Sequence, residues 1–268
     1  MKIKFLVKKI FSGEIVDFLK KVKVKYFASN QEIAFVVSQK ELLAKRSRFY
    51  SNYVKPGELC FDVGANVGNR VDALLNIGAK VVAIEPQEAC FSFLEKKYGD
   101  KIQLVKKGIG AEEGMHDFYI SNANVLSSFS TDWIKSVEAS NRFENTKWSK
   151  VIKTEITTLD ILIKEFGLPV FIKIDIEGYE AEALEGLSHP IKTLSFEYTV
   201  PEQIDKVVAC LERLERIDMN IECNYCIGEQ MEMVLDHWVS SSDMKVLLSN
   251  HKFITSGFGD IYVKFKSI

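Results

Sequence analysis

An α/β fold built on a mostly parallel sheet is what this sequence predicts, on three observations. From Leu59 onward short apolar runs alternate with longer amphipathic ones, the pattern of successive β-α-β units. A glycine-bearing loop joins the first apolar run to the first amphipathic one. The composition is that of a globular chain, with 268 residues, 47% of them hydrophobic and 27% charged. In order, residues 59–63 read as a buried strand and 69–77 as a helix stopped by Gly78, where a left-handed cap is favoured. Residues 80–85 form the next strand, ended by Pro86, and 87–98 the next helix, with Cys90, Phe91, Leu94 and Tyr98 at core-facing spacing. A third strand follows at 102–105 and an extra one at 115–120. Residues 121–150 are polar and dotted with Trp133, Phe143 and Trp148, and read as an excursion over the site. Thr157 or Thr158 then caps a helix with Asp160 in its first turn, where a carboxylate suits the positive end of the helix dipole. Strands at 170–176 and 193–198, helices at 180–187 and 203–216, and last strands at 221–225 and 260–265 complete seven core strands. Residues 1–57 stand outside this alternation as a basic, mostly helical extension or cap, and 58–268 form the main domain.

Charge separates the same two parts. Residues 1–25 hold eight lysines against Glu14 and Asp17, a formal charge of +6, which leaves −8 for the rest of a chain whose total is −2. A near-neutral domain argues against nucleic acid as a partner. No apolar run approaches the roughly 18 residues that cross a bilayer, and lysines at 4, 8 and 9 interrupt the apolar stretch a secretory signal needs. The five cysteines are odd in number and scattered, which suits reduced thiols in a cytoplasm, and the lone pair Cys223 and Cys226 lacks the further ligands of a zinc site. The apolar positions Phe5, Leu6, Ile10, Ile15, Phe18 and Leu19, interleaved with lysine, are expected to pack on the domain as a cap. The alternative is peripheral contact with the inner face of an anionic membrane.

The strongest chemical signal is Asp62-Val63-Gly64-Ala65-Asn66-Val67-Gly68, between a strand and a helix. Glycines serve where a ligand approaches the backbone, and the helix that follows presents free N–H groups. The dinucleotide fingerprint fails, because Asn66 and Asn69 stand where a glycine and a small residue are required, and no P-loop is present. Asp62, two positions before the first glycine, would repel a phosphate and welcome a cationic amino-acid tail or a water that holds one. Glu85 ends the second strand, 21 residues after Gly64, where a carboxylate can accept hydrogen bonds from ribose hydroxyls. A nucleoside with an ammonium-bearing tail, as in S-adenosyl-L-methionine, satisfies both.

A second constellation is Lys173-Ile174-Asp175-Ile176-Glu177-Gly178-Tyr179-Glu180, at the end of an apolar strand. Ligands of open α/β sheets sit beyond the carboxyl ends of strands, so Asp175 and Glu177 should share a rim with Gly64 and Glu85. Strand alternation is expected to put Asp175 and Glu177 on one side, their proximity should raise the pKa of one of them, and Glu197 ends the next strand. Together, residues 61–68, Thr158-Leu159-Asp160 and residues 173–180 resemble the FkbM family of S-adenosylmethionine-dependent methyltransferases, over roughly 59–197. The resemblance implies a Rossmann-like class I methyltransferase fold, seven-stranded and mostly parallel with one antiparallel edge strand. It also implies O-methylation of a hydroxyl, often on a sugar or polyketide. Ser127 and Ser128 are similar to the Ser-rich stretch that approaches the cofactor in that family.

The reading that follows assigns Asp62, Gly64, Ala65, Asn66, Gly68, Glu85, Ser127 and Ser128 to the cofactor. Asp175 becomes the base for the acceptor hydroxyl, with Glu177 and Glu197 orienting an acceptor that is a small molecule, a glycan or a lipid-linked sugar. A divalent metal on Asp175 and Glu177 is the alternative to metal-free chemistry. Two other classes share the plan. A nicotinamide-dependent oxidoreductase is disfavoured by the failed fingerprint, and a non-catalytic binding protein by the carboxylates at 175, 177 and 197. His116, His189, His237 and His251 form no spaced pair and read as structural or surface residues.

Overall fold

The structure, a computed structural model, describes residues 30–267. The lysine-rich segment 1–25, and with it the expected cap or membrane contact, lies outside the described residues. Helix α1 (Asn30–Tyr50) leads into β1 (Leu59–Val63), α2 (Asn69–Ile77), β2 (Lys80–Ile84), α3 (Glu88–Tyr98) and β3 (Gln103–Val105). An interruption follows, made of β4 (Gly108–Ile109), β5 (Gly114–Ile120), α4 (Thr131–Ala139) and β6 (Lys150–Thr157). The alternation resumes with α5 (Leu159–Phe166), β7 (Phe171–Ile174), α6 (Glu180–Glu185), β8 (Thr193–Thr199) and α7 (Ile204–Glu215). It closes with β9 (Glu222–Ile227), β10 (Val239–Ser240), α8 (Ser241–Leu247), α9 (His251–Ile254) and β11 (Phe258–Lys264).

Among the described residues the main sheet has eight strands in the order β10-β9-β11-β8-β7-β1-β2-β3, one more than the seven expected, because the two-residue β10 adds an edge. Five neighbours, β3, β2, β1, β7 and β8, are parallel. Two strands run against the others: the two-residue β10 at the edge, antiparallel to β9, and β11 in the interior, which pairs with β8 on one side and β9 on the other. Both faces of β11 are covered, with Ile261 and Val263 on one side and Asp260 and Tyr262 on the other, and edge strands are rarely so buried. A second sheet, β4-β6-β5, is formed by the strands of the interruption.

Alternation along the strands builds two cores. Phe61, Val63, Ile172, Ile174, Leu194 and Phe196 face α5, α6 and α7. Cys60, Val81, Ala83, Phe171 and Tyr262 face α2, α3 and the end of α1. The Phe49 ring meets Tyr262 edge-on at 5.3 Å, and Tyr53 stacks on the same ring at 5.8 Å. A boundary at residue 57 therefore cuts through packed aromatic rings, and the stretch 49–54 belongs to the sheet's core. Thr158 is the cap of α5, its hydroxyl accepting from Ile161 N at 3.1 Å. Asp160 Oδ1 accepts from Ser188 N at 2.8 Å and lies 3.0 Å from His189 Nδ1, so this motif residue latches α5 to the turn after α6, away from the rim. All five cysteines are buried free thiols. No helix of the described residues is long and apolar enough to cross a membrane.

Candidate functional site

The carboxyl ends of β1, β2, β7 and β8 open on a cleft of about 400 Å³. Its floor is the glycine loop after β1, where Gly64 has φ +84° and a Cβ there would overlap the carbonyl oxygen of Asp175. Only glycine lets the loops after β1 and β7 touch. The next wall is Glu85, just past β2, whose Oε2 accepts from Asn66 N at 2.8 Å and whose Oε1 accepts from Gln87 N at 2.7 Å. Across the cleft, one carboxylate oxygen from each of Asp175, Glu177 and Glu197 lies within 4.8 Å of the others. The excursion supplies the lid side through Val125, Leu126, Ser127, Phe129, Arg142 and Phe143.

A different device from the expected one brings Asp175 and Glu177 together. The strand β7 ends at Ile174, so the pleat does not reach Glu177; a turn does, with Glu177 at φ +54°. Glu180 holds that turn, its Oε1 accepting from Ile176 N at 3.0 Å and Gly178 N at 3.3 Å, and Ser128 Oγ donates to Glu177 O at 2.6 Å. Burial, followed by the Asp175 charge, pushes Glu177 and Glu197 well above the usual carboxylate range. Asp175 is bound from behind: Lys173 Nζ lies 3.0 Å from its Oδ2 and 2.8 Å from Asp260 Oδ1. Burial alone would depress Lys173, but the two aspartates outweigh it and keep the ammonium charged.

A family model described as the methyltransferase FkbM domain matches residues 62–252, from the buried aspartate of the glycine loop to α9. The chain belongs to the FkbM methyltransferase family. No curated protein sequence matches it. The chain is similar in trace to solved structures at low identity. One is a magnesium protoporphyrin IX methyltransferase from Synechocystis with bound S-adenosylmethionine, 11% identical over 98% of this chain and 97% of that one, TM-score 0.43. Another is a precorrin-6Y C5,15-methyltransferase from Geobacter metallireducens, 11% identical over 85% and 86%, TM-score 0.42. A TehB-like methyltransferase from Corynebacterium glutamicum is 11% identical over 87% and 97%, also at 0.42.

Within the FkbM domain, Gly64, Ala65, Asn66, Glu85, Ser127, Asp175, Glu177 and Glu197 line the cleft, whereas Asp62, Gly68 and Ser128 do not. Gly68 packs against Tyr98, whose hydroxyl donates to its carbonyl at 2.8 Å, so it fixes α2 against α3. Ser128 is fully buried and positions Glu177, as above. Asp62 sits beneath the loop, 1% exposed, with Oδ2 lacking any hydrogen-bond partner among the described residues. Residues the sequence reading passed over are Arg142, Arg70 and Glu229, all on the cleft, and Asp260 behind it. Arg142 ties the excursion to the turn after β8, donating to Val200 O at 2.9 Å and Glu202 Oε2 at 2.6 Å. None of the four histidines lines the cleft.

Burial raises three further carboxyls: Asp62 to about 6, against the pull of Arg70 and Lys173, and Glu85 and Glu180 to about 7. Each binds its proton more tightly folded than unfolded, so its contribution is complete below the unfolded pKa and is lost as pH rises through the folded one. The ligand-free protein should therefore melt at a lower temperature at pH ~8 than at pH ~5.5. Scanning calorimetry across that window checks this, and a midpoint that rises with pH would contradict the assignment.

Proposed function

We propose that this chain is an S-adenosyl-L-methionine-dependent O-methyltransferase acting on a hydroxyl of a sugar, glycan or related natural product. The observation that carries the reading is the meeting, on one cleft, of the glycine loop and Glu85 with the Asp175, Glu177 and Glu197 cluster. The residues fit the cofactor: Asp62 has a buried oxygen without a partner beneath the loop, suited to a cationic tail, and Glu85 stands at the end of β2 where ribose hydroxyls are held in related folds. When bound, S-adenosyl-L-methionine supplies a methyl group on a positively charged sulfur. The chain's own part is to hold the acceptor oxygen in line and to take its proton. Asp175 takes it, since Oδ2 is engaged by Lys173 and Oδ1 is the oxygen left for the acceptor. Glu177 and Glu197, which keep a proton more readily, orient neighbouring hydroxyls, and Phe129 and Phe143 offer apolar faces to a sugar ring. The five buried free thiols support a reducing compartment such as the cytoplasm.

Calorimetric titration with S-adenosylhomocysteine tests the cofactor half. Wild type should bind, NADH should not, and Glu85→Ala should weaken binding by about ten- to a hundredfold, the effect of losing one or two hydrogen bonds to a charged group. Absence of binding to wild type would refute the reading, and an unchanged Glu85→Ala would remove Glu85 from it.

A further inference from the structure

Arg46 lies on α1, ahead of the residues that the family model matches, and does not itself line the cleft. Yet it is tied to a residue that does. Its Nη2 is 3.3 Å from Glu229 Oε2, while Arg70 Nη2 donates to Glu229 Oε1 at 2.6 Å. Glu229 follows β9, and Glu229 and Arg70 both line the cleft. One carboxylate thus joins a guanidinium on α1 to one on α2. Both arginine side chains are nearly buried, 12% and 11% exposed, while the carboxylate they share is 48% exposed. Burial alone would raise Glu229, but the Arg70 hydrogen bond and the charges of Arg70 and Arg46 prevail and hold it at about 2, so the bridge is ionised at any working pH.

The bridge engages the head of Arg70. Arg70 is in the first turn of α2, two residues past Gly68, and is the charged neighbour that acts most strongly on Asp62. Arg70 Nε and Asp62 Oδ2 are both buried and both without a hydrogen-bond partner among the described residues. Two opposite charges with unused polar atoms are drawn together in a low-dielectric interior. The Arg70 head is instead engaged by Glu229 through Nη2, and Arg46 meets the second oxygen of Glu229.

We propose that Arg46 is a positioning residue for cofactor binding: acting through Glu229, it holds Arg70 clear of Asp62 and so keeps the base of the glycine loop available to an ammonium-bearing tail. This rests on the S-adenosyl-L-methionine reading. It places part of the control of that site on a helix outside the family domain.

Calorimetric titration of the full chain with S-adenosylhomocysteine tests it, comparing wild type, Arg46→Met, Arg46→Lys, Glu229→Gln and the Arg46→Met/Glu229→Gln double variant. Methionine keeps the packing of the arginine stem while removing the charge. Arg46→Met should weaken binding about threefold and Glu229→Gln on the order of tenfold, with the double variant no weaker than Glu229→Gln alone, because Arg46 then has nothing to act through. Arg46→Lys should return to within about twofold of wild type, a rescue that a loss of general stability would not give. An Arg46→Met affinity equal to wild type overturns the proposal, as do losses that multiply in the double variant. If wild type itself does not bind, the cofactor reading falls and takes this one with it, whereas binding by wild type with additive losses overturns the relay alone.

Discussion

Asn in place of Asp175 should leave S-adenosylhomocysteine affinity within about twofold and lower turnover of the acceptor by roughly 10²–10⁴, the range a positioned general base supplies. The substitution is chosen because the interior tolerates it. Lys173 Nζ lies 3.0 Å from Asp175 Oδ2, and an amide oxygen there can still accept from the ammonium while Asp260, 2.8 Å away on the other side, keeps it neutralised. What the amide cannot do is take a proton. The neighbours behave differently under the equivalent change. Glu177 and Glu197 are pushed toward their protonated forms by burial and by Asp175, and glutamine is a fair copy of a protonated glutamic acid. Glu177→Gln and Glu197→Gln should therefore cost less than about tenfold, so the three variants distinguish a group that takes the proton from groups that already hold one. Transfer of labelled methyl to a panel of sugars and glycans supplies the measurement. Undiminished turnover by Asp175→Asn would remove it as the base.

Lys173→Met should be the most damaging single change to folding, by about 3–5 kcal/mol. The Lys173 side chain is 1% exposed and its partner Asp260 5%, so neither has water to fall back on. Methionine fills the volume of the lysine stem but leaves Asp260 as an uncompensated buried charge, and it is this remnant, more than the lost attraction, that costs. Adding Asp260→Asn should recover part of the loss. Urea unfolding checks both, with the midpoint falling and the slope unchanged if the native state alone is affected. A Lys173→Met protein within about 1 kcal/mol of wild type would mean that the interior relaxes around the charge.

How much of this was legible depends on how local the cause is. The bounds of β1 and α2 follow from residues within one turn of each end: an apolar run, then Gly64 and Gly68, then Gly78. Asp62, Gly64 and Glu85 were readable as strand ends beside a glycine loop. By contrast β6 escaped notice, because Lys150, Lys153 and Glu155 are exposed and make the strand look like the tail of the polar excursion. The strands β4 and β10, two residues each, carry no period. Within the excursion, α4 did have a signal in Ser130, whose hydroxyl accepts from Trp133 N, and in the buried Trp133, Ile134 and Val137. The long-range pairs had none. Lys173 and Asp260 are 87 positions apart, and Arg70 and Glu229 are 159 apart. The acidic pair at 175 and 177 was readable as chemistry, but the turn that folds it was not, since it depends on Glu180 accepting two backbone bonds.

The interior position of β11 has a consequence for how the chain is made. Residues 258–264 leave the ribosome after every other strand, yet they fill the slot between β8 and β9. Until they arrive, β8 and β9 each present a row of unmatched backbone groups, the kind of edge that invites pairing with other chains. Lys173 also waits for Asp260, so the ammonium beneath the acidic cluster lacks one of its two counter-charges throughout synthesis. The acidic side of the cleft is thus completed by the same late event that seals the sheet, and a nascent chain can have its glycine loop in place well before Lys173 has both counter-charges.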